Sequence, residues 1–115
     1  MQPENQEFYA INRLKDCAKI MDVIIDDLPV LRTRMENYIL RKKSKAKDVL
    51  EDIKKSFEKL SSTLTAASLL LYEIEENEMA VYSTKLSQSV KAFNPMTPDY
   101  SKLCEVLSNF LSRLN

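Results

Sequence analysis

The sequence predicts an all-α protein, an antiparallel helical bundle or hairpin built around one long coiled-coil-like central helix. Three observations predict it. The 115 residues include no Gly, and a β-rich fold without one would lack the left-handed positions that its tight turns require. Apolar residues recur at alternating spacings of three and four, which is the period of a helix face and not of a strand. Between Pro29 and Pro95 no Pro or Gly breaks the chain at all. With 44% hydrophobic and 30% charged residues, the composition is that of one folded domain over 1–115 and not of a disordered tail.

The first helix is expected over about 5–27, where Ile11, Leu14, Ala18, Met21, Ile25 and Leu28 form a two-position heptad seam. Cys17, Ile20, Val23 and Ile24 widen that stripe. Asp26-Asp27 followed by Pro29 mark a boundary, with a carboxylate to cap the next helix and Pro tolerated in its first turn. From Pro29 to Ile74 the pattern allows a single helix over 29–76, broken near 41–47 if Ser44 serves as a new N-cap. Within it, Ala46, Leu50, Ile53, Phe57, Leu60, Leu64, Ala67, Leu71 and Ile74 keep the three–four alternation through four heptads. The phase then slips by one. Met79, Tyr82, Leu86, Val90 and Phe93 carry on over 79–93, so a turn is expected near Asn77, which tolerates the left-handed conformation. Thr97, Pro98 and Asp99 read as cap and first turn of a last helix over 98–114, with Tyr100, Leu103, Leu107, Phe110 and Leu114 on its seam.

One stretch stands apart. From Leu60 to Tyr72 thirteen residues pass without a charge, in a chain where nearly a third are charged. A helix with one buried stripe keeps charges on its other faces, so the stretch is expected to be enclosed all round. If a second chain completes that enclosure, the protein interface is Leu50, Ile53, Phe57, Leu60, Leu64, Ala67, Leu71 and Ile74. Charges flank it with opposite sign: Arg41, Lys42, Lys43, Lys45 and Lys47 on one side, Glu73, Glu75, Glu76 and Glu78 on the other. In one long helix both clusters oppose the macrodipole, which suggests that they orient an antiparallel partner or bind an anion.

The remaining features mostly exclude. Net charge is zero, from 17 basic and 17 acidic residues, which gives no overall pull toward nucleic acid. With no His and no Gly, the commonest general base and the phosphate-cradling loop are missing. The glutamates lack the spacing of a calcium loop, so no metal and no cofactor are expected. Cys17 and Cys104 are far apart and read as reduced thiols of an intracellular, cytoplasmic protein. No apolar run reaches the length of a membrane span. The resulting expectation is a non-catalytic scaffold or adaptor, a homodimer or small subunit, with a protein partner and no small-molecule substrate. The runner-up is a peripheral membrane module using the basic cluster 41–47, and a small helical enzyme ranks last.

Overall fold

The computed structural model describes residues 3–41, 46–94 and 100–114, with side chains over 7–37, 49–94 and 100–114. They form four helices, α1 (Pro3–Arg41), α2 (Ala46–Glu73), α3 (Asn77–Ala92) and α4 (Tyr100–Leu114). No strand occurs among the described residues. Helix α2 packs between α1 and α3, and α4 lies along α1. Neighbours run antiparallel. Arg34 of α1 meets Asp52 of α2 at 3.0 Å near their connection, and Arg32 donates to Ser101 Oγ at the start of α4 at 3.3 Å. The fourth edge closes through aromatic rings, Tyr82 against Phe110 at 5.6 Å and Phe93 against Tyr100 at 5.1 Å. The bundle measures 58 × 20 × 19 Å. A straight helix of 39 residues at about 1.5 Å each accounts for the long dimension, so α1 and not the central helix is the longest.

Helix α1 does not end before Pro29, as the sequence suggests, but runs straight through it. A proline inside a helix costs roughly 3 kcal/mol, because the carbonyl four residues earlier loses its amide donor. Packing outweighs that cost here. Pro29 lies on the exposed face, while the stripe Leu14, Ala18, Met21, Ile25 and Leu28 continues unbroken into Leu31 and Met35, all buried. Each such side chain contributes about 1.5–3 kcal/mol on burial. Ending the helix at 28 would strip Leu31 and Met35 from the core. Thr33 also donates back to the Pro29 carbonyl at 3.0 Å.

Helix α2 ends in a Schellman motif. The Glu76 amide donates to the Leu71 carbonyl at 2.9 Å and the Glu75 amide to that of Tyr72 at 3.1 Å. The left-handed residue is Glu75, at φ 62°, and not Asn77, which opens α3. The turn therefore falls two residues before the expected one. It also divides the acidic cluster. Glu73 closes α2, whereas Glu78 sits in the first turn of α3, where the macrodipole favours a carboxylate.

The α2–α3 contact is made by hydroxyls. On α3 the buried residues are Ala80, Ser83, Leu86, Ser87 and Val90; Leu86 and Val90 belong to the stripe read from the sequence, whose Met79, Tyr82 and Phe93 are only partly buried. Ser61 and Ser87 lie Oγ to Oγ at 2.8 Å, and Ser87 donates to the Ser61 carbonyl at 3.0 Å. Ser83 donates to the Leu64 carbonyl at 2.6 Å, and Ser68 to that of Ala80 at 2.9 Å. Such small side chains let the backbones approach, and each buried oxygen finds a partner. No buried side-chain N or O among the described residues lacks one.

Candidate functional site: an open trough between α1 and α2

Among the described residues, a concavity of about 1020 Å³ runs between α1 and α2, larger than those between α2 and α3 and beside α4. One turn-to-turn stripe of α1 supplies Tyr9, Arg13, Asp16, Cys17 and Ile20, and α2 supplies Lys59, Ser62, Ala66, Leu69 and Glu73. The helical period explains both sets. On α1 these positions sit beside the buried Leu14, Ala18 and Met21, and on α2 beside Leu60, Leu64 and Ala67. The trough is thus the outer margin of the α1–α2 packing seam.

This geometry corrects the expectation that Leu60–Tyr72 is enclosed all round. Leu69 is 63% exposed and Tyr72 47%, and Ser62, Thr65 and Ala66 are exposed as well. The stretch lacks charge for two reasons that meet on one helix. Its inner hydroxyls knit α2 to α3, and its outer face is the floor of the trough. Ile53, Phe57, Leu60, Leu64, Ala67 and Leu71 are buried against the chain's own helices, while Leu50 and Ile74 are half-buried at the ends of that row.

The charged clusters fare differently. Lys42, Lys43 and Lys45 lie outside the described residues, as do the side chains of Arg41 and Lys47 and the cap residues Thr97, Pro98 and Asp99. Glu73 reaches the trough, whereas Glu75, Glu76 and Glu78 are exposed at the α2–α3 turn. No group of three metal-ligating side chains occurs among the described residues. None of their helices is long and apolar enough to cross a membrane.

At one end of the trough, Arg13 Nη1 donates to Tyr9 Oη at 3.0 Å, and its guanidinium carbon lies 5.6 Å from the centre of that ring. The bond to Tyr9 raises the Arg13 pKa above its ordinary value. Cys17, half-buried in the wall, has its thiol pushed up by burial. Cys104 is likewise free, on α4. Sequence reasoning did not bring Tyr9, Arg13, Asp16 and Lys59 together. The shared α1 stripe of Tyr9, Arg13 and Asp16 was visible, but that α2, with Lys59, would lie beside it was not.

The chain belongs to the uncharacterised methyltransferase family DUF6094, whose family model matches residues 1–115. No curated protein and no solved structure matches it. That membership overturns the expectation of a non-catalytic assembly module with no small-molecule substrate, since the family is described by a group-transfer activity. The missing Gly and His misled because methyl transfer needs neither. Direct displacement at a methyl carbon has no phosphate to cradle, and a carboxylate or water can take the proton.

A methyl donor of the sulfonium class is a bulky cofactor that proteins hold in a cavity covering most of its surface. The trough between α1 and α2 does not fit it. Its helical amides are committed to their own carbonyls, and Tyr9, Arg13, Asp16, Ala66, Leu69 and Glu73 are all exposed.

Proposed function

We propose that this protein serves methyl transfer by holding the methyl acceptor, an elongated small molecule, in the trough between α1 and α2. The observation that carries this reading is the uncharged, exposed floor of Ser62, Ala66 and Leu69, bounded by Lys59 at one end and Glu73 at the other. Thirteen residues of helix lie between those two charges, so an acceptor lying between them spans roughly 20 Å at most. Its apolar body covers Ala66, Leu69 and Ile20, and its polar groups reach Arg13 and Asp16. Asp16 and Glu73 are the trough's carboxylates and favour an acceptor that presents a hydrogen-bond donor or a cation to them.

The test is to incubate the full chain with a small-molecule extract and to identify by mass spectrometry the molecules it retains. Retention of an elongated molecule carrying a methylatable nucleophile is expected. Ala66→Glu, which fills the floor with charge, should weaken retention at least tenfold with helix content unchanged, and Lys102→Glu on the exposed face of α4 should leave it alone. No such molecule retained, or equal retention by Ala66→Glu, overturns the reading.

A further inference from the structure

A second, smaller concavity lies on the other flank of α2, and Ser62 borders both. It encloses about 320 Å³ between α2 and the end of α3, within the size range of small-molecule sites. Its floor is largely aromatic. Phe57 and Val90 are buried and Phe93 is half-buried, with the two rings edge to face at 5.4 Å. Its rim holds Lys54 and Lys91 against one carboxylate, Glu58, all three exposed.

We infer that this pocket binds an aromatic anion, a flat ring carrying a carboxylate or sulfonate. The rings of Phe57 and Phe93 already pair edge to face, with Tyr100 behind them at 6.4 and 5.1 Å, and a ligand ring on the open side extends that cluster. Two ammonium groups facing one carboxylate leave a net positive rim, so an anionic substituent is drawn in and a cationic one repelled. Lys54 comes from α2 and Lys91 from α3, which places a cation on either side of the ring. The inference is independent of the trough and of the acceptor proposed for it.

The probe is 8-anilinonaphthalene-1-sulfonate titrated into the intact protein, followed by its fluorescence. Saturable binding is expected, weakening as salt screens the rim. Reversal of one exposed charge typically shifts binding about two- to fivefold, so Lys54→Glu and Lys91→Glu should each weaken it by that much and the double variant by more. Displacement by 1-naphthoate should be several-fold more effective than by the neutral 1-naphthalenemethanol. The trough variant Ala66→Glu should bind the probe as the wild type does, which keeps failure of this inference distinct from failure of the methyl-acceptor reading. Binding that ignores both lysine reversals, a neutral competitor equal to the anion, or no saturable binding overturns it.

Discussion

Ser87 shows how a polar side chain comes to do the work of an apolar one. Its hydroxyl donates to the Ser61 carbonyl at 3.0 Å and accepts from Ser61 or Thr65, whose oxygens lie at 2.8 and 3.0 Å. Removing it leaves a buried hydroxyl opposite without its nearest partner. Ser61 keeps its bond to the Ser87 carbonyl at 3.3 Å, so the loss is that of a net buried hydrogen bond, about 0.5–1.5 kcal/mol. Ser87→Ala is therefore expected to lower the urea midpoint by that amount at unchanged slope. The exposed Ser112, whose hydroxyl only bonds back to Ser108 at 3.0 Å, is the control. Ser112→Ala should stay within about 0.5 kcal/mol of wild type, and equal losses from the two would remove the structural role of the seam.

At the level of the helices, the turn after α2 offers a stabilising change. Glu75 holds φ 62°, a conformation that costs a residue with a Cβ about 1–2 kcal/mol and costs Gly almost nothing. It is also an acid beside the negative end of α2. Glu75→Gly should raise the melting temperature by a few degrees, and a fall would mean that the left-handed turn is absent in solution. A turn near this point was legible in the sequence from the one-residue slip between the Ile74 and Met79 stripes, and its residue was not. Asn is the better left-handed residue by propensity, but the register of Ala80 and Ser83 against α2 decides where the chain must reverse. Pro29 teaches the same lesson in reverse. Local chemistry favours a break there, and Leu28, Leu31 and Met35 override it by packing on one continuous stripe. The site was half legible. Its floor announced itself as a run without charge, but a run of sequence does not say whether it faces protein or water. Tyr9 and Arg13 became part of it only once α1 was laid beside α2.

Across the whole bundle, burial leaves three acidic groups that titrate late. Desolvation pushes the Cys17 and Cys104 thiols above their ordinary value of 9.0 and the Tyr100 hydroxyl above 10.0. One lies on α1 and two on α4, so together they sample the packing of the bundle along those two helices. In each case the folded chain binds the proton more tightly than the unfolded one. Stability is then fully present below the unfolded values and declines as pH rises past them, because the unfolded state releases protons that the native state keeps. The urea midpoint is expected to hold level between about pH 7 and 8 and to fall between about pH 9 and 11. Lysines also lose charge near the top of that range, so the comparison is with a variant carrying Cys17→Ser, Cys104→Ser and Tyr100→Phe. Its midpoint should fall less steeply with pH over the same interval. If the triple variant follows the wild-type curve, these three groups are as open to water in the native bundle as in the unfolded chain, and the packing described for α1 and α4 does not hold in solution.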